Sequence, residues 1–250
     1  MKNYNAGAGS TLTLENNGEQ ITVDVYSQEG FDFLSNLWIK SAAQHRLMYE
    51  PTWLGRPVIQ FSTDIVMIQE LLWKLKPDVV VETGVAHGGS LILSASILEL
   101  IGKGKVIGID IEIYPKNRVA IEAHPLYNRI ELIEGSSIAI ETLNALRKLI
   151  GSAKSVLVFL DSNHTEAHVL QELELYAPLV TPGSYIVAHD GAQAWVWDIP
   201  SGKPEWKDDH PLNAIHKFLG SHPEFAIDPH WTRMGITSSP DGFLKRSTET

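Results

Sequence analysis

The chain of 250 residues contains no cysteine. Disulfides, zinc–thiolate sites and thiol nucleophiles are therefore excluded, and the chain is compatible with the cytoplasm, where we expect it. No apolar run approaches the roughly 18 residues of a membrane-spanning helix. The opening segment, MKNYNAGAGSTLTLENNGEQ, is polar and has no hydrophobic stretch of a signal peptide, so it reads as frayed chain or a short cover strand. Basic runs are also missing: 20 Lys and Arg are scattered among 30 Asp and Glu, for a net charge of −10. A clamp for RNA or DNA needs a basic patch, so the expected partner is a small molecule and neither nucleic acid nor a membrane. The same charge also serves solubility. Internal repeats and long linkers are absent, and 44% hydrophobic residues suffice for one large α/β domain.

Strand and helix signals alternate along most of the chain. Residues 1–62 read as an N-terminal extension: a polar tail, a helix over Phe31–Tyr49 with apolar residues at helical spacing, and the loop-like TWLGRPVIQFSTD. Residues 63–250 read as the main domain. Its first helix is capped by Thr63 or Asp64, runs to Leu75 and is stopped by Pro77. Strands are expected at Asp78–Glu82, Lys105–Asp110, Arg129–Glu134, Ser155–Asp161 and Ser184–His189. Helices are expected near Ser90–Ile101, Pro115–Ala123, Ser137–Ile150 and Thr165–Leu175. Runs such as VLVFL suit a sheet covered on both faces, and alternating βα units imply parallel, doubly wound strands. A Trp-rich loop over Gly191–His210, a helix near Leu212–Leu219 and weaker strands near Phe225–Ile227 and Arg233–Thr237 close the domain.

The segment VVVETGVAHGGS (Val79–Ser90) has the form strand, glycine turn, helix N-terminus, which α/β proteins use to hold nucleotide-like ligands. Gly84, Gly88 and Gly89 are spaced Gly-x-x-x-Gly-Gly, unlike the Gly-x-Gly-x-x-Gly of a dinucleotide cradle. An acid, Glu82, precedes the first glycine and favours a ligand with an amine or other cation; S-adenosylmethionine (SAM) has both an amine and a sulfonium. His87 either touches that ligand or only shapes the turn.

Ligands of open α/β sheets sit beyond the carboxyl ends of the strands, so the residues there are the candidates. Asp110 ends the second strand at the usual distance for an acid that takes ribose hydroxyls, or it caps a turn. Ser136 and Ser137 follow the third strand, where small residues admit an adenine edge and also suit a helix cap. Asp161, His189 and Asp190 end the fourth and fifth strands, close enough to converge on a divalent cation. Each acid could equally cap the element that follows. His164 lies beside this group and is a candidate general base for a hydroxyl, or a loop-packing histidine. His168, one turn on, reads as a partly buried surface residue. Trp195, Trp197 and Trp206 offer flat faces for a sugar or aromatic acceptor, or they pack in the core or between subunits.

At these positions a family resemblance is evident. TWLGRPVIQFSTD, ETGVAHGGS, GSS, LDSNHTEAHVLQELELYAPLVTPGSYIVAHD and the tail from Pro211 to Arg246 resemble the cephalosporin hydroxylase family, which includes rhamnosyl O-methyltransferases. The likeness runs from about Phe31 to Arg246. It implies a Rossmann-like class I SAM-dependent methyltransferase fold, with a mostly parallel seven-stranded sheet covered by helices on both faces. Through the likeness of the family to catechol-type enzymes, it further implies SAM and a divalent metal as cofactors. Glu82, Gly84 and Ser90 then fall along the methionine end of SAM, with His87 and Gly88 as further cofactor-binding residues, Asp110 at the ribose and Ser136 and Ser137 at the adenine. Asp161 falls beside both SAM and the metal, Asp161, His189 and Asp190 at the metal, and His164 at the base. Relatives usually carry an acid where this chain has His189, and imidazole there shifts preference from Mg²⁺ towards Mn²⁺ or Fe²⁺. The expected activity is O-methylation of a hydroxylated small molecule, a sugar or glycosylated natural product. The rival is an accessory protein that binds SAM or substrate without chemistry; an iron oxygenase is disfavoured because its usual fold is all-β. The N-terminal helices could also pack between subunits of a homo-oligomer.

Overall fold

The computed structural model describes residues 7–16 and 18–248. Two short strands, β1 (Thr11–Asn16) and β2 (Glu19–Asp24), pair antiparallel ahead of helix α1 (Gln28–Gln44). The Ser27 side chain caps α1 by accepting from the Gly30 amide. The expected helix over Phe31–Tyr49 therefore begins earlier and breaks at Arg46, whose backbone is left-handed (φ 56°), before a 3₁₀ turn at Leu47–Tyr49. The loop-like TWLGRP segment forms a small hairpin of β3 (Thr52–Trp53) and β4 (Arg56–Pro57). Helix α2 (Ser62–Leu75) follows and ends at Lys76, just before Pro77. Neither Thr63 nor Asp64 caps it: the cap position is Phe61, and Asp64 is buried, accepting from the Ser238 amide at 2.8 Å.

The core is a seven-stranded sheet whose strands appear in the chain as β5 (Val79–Thr83), β6 (Lys105–Asp110), β7 (Ile130–Glu134), β8 (Val156–Leu160), β9 (Tyr185–Ala188), β10 (Phe225–Ile227) and β11 (Phe243–Arg246). Their spatial order is β10-β11-β9-β8-β5-β6-β7; β5 to β9 are parallel, and β11 runs antiparallel between β9 and β10. The expected strand at Arg233–Thr237 does not form. That stretch is a 3₁₀ end and turn, and the sheet takes Phe243–Arg246 instead, whose Phe243 and Leu244 are buried. Helices α3 (Gly89–Ile101), α4 (Pro115–Glu122), α5 (Ile140–Ile150) and α6 (Glu166–Tyr176) make the crossovers; α7 (Gln193–Val196) and α8 (Pro211–Ser221) lie between β9 and β10.

The period-two alternation of buried strands divides the core between two layers. Val80, Val106, Leu157 and Val187 join one apolar cluster; Val79, Val81, Val158 and Ile186 join the other. Because β6 lies on one side of β5 and β8 on the other, the chain reverses its winding direction at the β5/β8 boundary. A crevice opens at that boundary beyond the strand ends.

Candidate active site

Gly84 fixes the geometry at the crevice. Its φ is +89°, and a Cβ there would lie 1.9 Å from the Asp161 carbonyl oxygen. Only glycine lets the loop after β5 lie against the end of β8. The turn continues through Gly88, also left-handed, into α3. Asp110, at the end of β6, braces the loop: its Oδ2 accepts from the Val85 amide at 2.8 Å and the Ala86 amide at 3.2 Å.

A cavity of about 240 Å³ lies on this loop, lined by Gly84, His87, Ser90, Asp110, Asp161 and Asp190 among others. It continues into one of about 180 Å³ between Asp110, Ser136, Ser137 and His168. Of the residues expected along SAM, Gly84, His87, Ser90, Asp110, Ser136, Ser137 and Asp161 line these two spaces. Gly88 does not line them and serves the turn. Glu82 stands behind Ser90, 2% exposed, and its carboxylate accepts the Ser90 hydroxyl. Burial pushes the Glu82 carboxyl up to about 7. Glu82 thus positions Ser90 and faces a void of about 10 Å³ shared with Gln60, Ser94 and His189.

Asp161, His164 and Asp190 converge: one ligand atom from each lies within 4.8 Å of the others. The Nε2 of His164 is 3.1 Å from Oδ2 of Asp190. Burial and the neighbouring carboxylate of Asp190 push the Asp161 carboxyl well above its usual range. His189 is not in this set, which corrects the expected trio. The His189 amide still donates to the Leu160 carbonyl in the sheet ladder, and strand alternation puts its ring on the side of Val187 and Phe159. The ring sits 5.7 Å from that of Phe159, with Nδ1 2.9 Å from the Ser239 hydroxyl. Burial lowers the His189 pKa to about 4. Asp190 then takes a left-handed backbone (φ 60°), and its carboxylate emerges at the rim.

The two carboxylates suit a divalent cation with positions left open for substrate oxygen, and the His164 imidazole stands beside them. Two relays hold the set, the first of them buried. Asp64, Ser238 and Ser239 link through hydroxyls to His189, immediately before Asp190. Ser162 donates to Glu172 at 2.7 Å immediately after Asp161.

Beyond Asp190 and His164 opens a third cavity of about 450 Å³. Its walls come from α1 and the turn after it (Ile39, Met48, Tyr49) and from the Trp-rich segment (Val196, Ile199, Trp206). The Lys40–Asp198 ion pair at 2.6 Å fastens the two walls to each other. Trp206 lines the cavity; Trp195 packs in the apolar cluster behind it, and Trp197 is partly exposed with Lys207 over its ring. Sequence reasoning missed Gln60 and Tyr49, and it read His168 only as a partly buried surface residue. His168 has Nε2 3.2 Å from the Ser137 hydroxyl and lines the smaller cavity. Its place in the first turn of α6, just after the end of β8, was the available signal, because ligands sit beyond the strand ends.

Comparisons with known proteins agree with this architecture. A rhamnosyl O-methyltransferase from Mycobacterium leprae is 32% identical over 141 residues, covering 56% of this chain and 59% of that protein. A rhamnosyl O-methyltransferase from Mycobacterium bovis is 29% identical over 203 residues, covering 78% of each chain. Among solved structures, CmcI with Mg and SAM superposes with a TM-score of 0.58 at 20% identity, over 79% of this chain and 77% of that one. This likeness establishes the class I methyltransferase fold. The family described as rhamnosyl O-methyltransferase/CmcI matches residues 45–247, and the chain belongs to that family.

Proposed function

We propose that this chain is a SAM-dependent, divalent-metal-assisted O-methyltransferase whose acceptor is a hydroxyl of a sugar or glycosylated natural product. One observation carries the reading: Asp161, His164 and Asp190 meet where the cavity on the glycine loop joins the cavity under α1. Both relatives named above are rhamnosyl O-methyltransferases, and the CmcI neighbour holds Mg and SAM, which supports SAM and Mg²⁺ as cofactors here.

The roles follow from position. Gly84, His87, Ser90 and Asp110 hold the donor along the glycine loop, with Ser136, Ser137 and His168 at its far end. Asp161 and Asp190 hold the cation. A divalent cation there supplies Lewis-acid activation of the acceptor hydroxyl. His164 is the general base. With Nε2–H directed at Asp190, its Nδ1 is left as the proton acceptor. The walls around the 450 Å³ cavity exclude water and align the acceptor with the donor, and positioning provides much of the rate because the methyl group is already activated.

Incubation of the purified protein with methyl-labelled SAM, Mg²⁺ and a metabolite extract tests the proposal by mass spectrometry. A labelled O-methyl product that disappears in Asp161→Ala and falls at least about 100-fold in His164→Ala is expected. Full turnover in both variants overturns the mechanism. SAM binding without any labelled product overturns catalysis in favour of an accessory binding role.

A further inference from the structure

The cavity under α1 has a charge pattern that methyl transfer to a neutral sugar does not call for. Arg46 and Lys203 line it, and Asp190 is its single acidic lining residue. Neither cation has a carboxylate partner among the described residues. Each lies over an aromatic ring: the Arg46 guanidinium carbon is 4.6 Å from the Tyr49 ring centre, and the Lys203 ammonium is 5.4 Å from that of Trp206. An aromatic face steadies a cation without using its N–H donors. Lys40, on the same helix wall, is by contrast paired with Asp198. Arg46 also holds a left-handed backbone that an arginine rarely adopts, and this turn carries its side chain to the cavity. The rest of the lining is largely apolar, with Ile39, Phe61, Val196 and Ile199.

We infer that the acceptor is an anion: a hydroxylated molecule whose carboxylate or phosphate ester is held by Arg46 and Lys203 while its hydroxyl sits at Asp161, His164 and Asp190. The inference rests on the methyltransferase reading and narrows its substrate class. A volume of about 450 Å³ accommodates a monosaccharide with an apolar aglycone. In a chain of net charge −10, two free cations at the cavity also offset the repulsion an acidic acceptor meets elsewhere on the surface.

Calorimetric titration of the full chain, loaded with S-adenosylhomocysteine and Mg²⁺, provides the test. The probes are phenyl β-D-glucoside, phenyl β-D-glucuronide and phenyl β-D-glucoside 6-phosphate. At low salt at least one acidic probe should bind roughly tenfold or more tightly than the glucoside, with the margin shrinking as salt rises. The two acidic arms tell carboxylate from phosphate. Arg46→Gln and Lys203→Gln should each reduce that margin several-fold, and Arg46→Lys should retain most of it. Equal affinity for all three probes, failure of all three to bind, or equal losses across them in the Gln variants overturns the inference. Failure of S-adenosylhomocysteine to bind in the preceding titration instead removes the methyltransferase reading itself.

Discussion

His189 and Asp190 are adjacent in sequence, yet the fold gives them different work. His189 belongs to the sheet and to a buried relay with Ser239; Asp190 belongs to the rim. The side-chain alternation of a strand puts the His189 ring inside, and the turn at Asp190 takes its carboxylate out. Replacing His189 by Ala should therefore lower stability by about 1–3 kcal/mol, through the unpaired Ser239 hydroxyl and the lost ring packing. It should leave Mn²⁺ affinity within a few-fold of wild type. Asp161→Asn should weaken Mn²⁺ at least about tenfold with little change in melting temperature. Titration of free Mn²⁺ by electron paramagnetic resonance, paired with thermal melts, separates the two. The same titration on His164→Ala tests its role: a base leaves metal affinity intact while turnover falls. Residues at strand ends were legible because the fold class dictates where ligands sit. The orientation of each side chain was not, because it depends on a left-handed turn at Asp190 that no residue type there announces.

At the level of elements, the parallel strands and crossover helices followed from the alternation of buried strands with helical segments. The failure at Arg233–Thr237 has a physical reason. β9 takes only the partner that buries Phe243 and Leu244, and a preceding turn at Gly235 (φ 77°) interrupts any ladder there. The hairpin after α1 was invisible because its strands are two residues each. Nor did the sequence reveal that α1 walls the 450 Å³ cavity, since that contact spans most of the chain. The Lys40–Asp198 pair tests the arrangement. It is partly solvated, so Lys40→Met should change stability by no more than about 1 kcal/mol. Yet it joins α1 to the Trp-rich segment, so KM for the acceptor should rise several-fold while S-adenosylhomocysteine affinity holds. Equal losses in both would mean that the pair supports the fold rather than the cavity. Gly84→Ala makes the complementary case: a φ of +89° and a contact of 1.9 Å should cost on the order of 2–4 kcal/mol and abolish donor binding, read by melts and calorimetry.

Across the whole molecule, buried ionisable groups make stability depend on pH in the metal-free, ligand-free protein. Glu82 rises to about 7 and Asp64 to about 6, both through burial. Between their unfolded and folded pKa values the native state binds more protons than the unfolded chain, so stability falls as pH rises. The Glu82 contribution is present in full below about pH 4.5 and is lost as pH climbs through about 7. His189 acts in the opposite sense. Its pKa falls to about 4, so stability is lost as pH drops below about 6.5. Between these limits the two carboxyls outweigh the single imidazole. From pH 5.5 to 7.5 the melting temperature of the chelated protein should therefore fall, with Glu82 accounting for about 2 kcal/mol of the change. The net charge of −10 works in the same direction, because unfolding relieves its self-repulsion. Glu82→Gln keeps the acceptor for the Ser90 hydroxyl and removes the titration, so its melting temperature should decline less steeply over the same interval. Parallel slopes for wild type and variant would show that Glu82 is ionised in the folded protein throughout and does not carry the pH dependence.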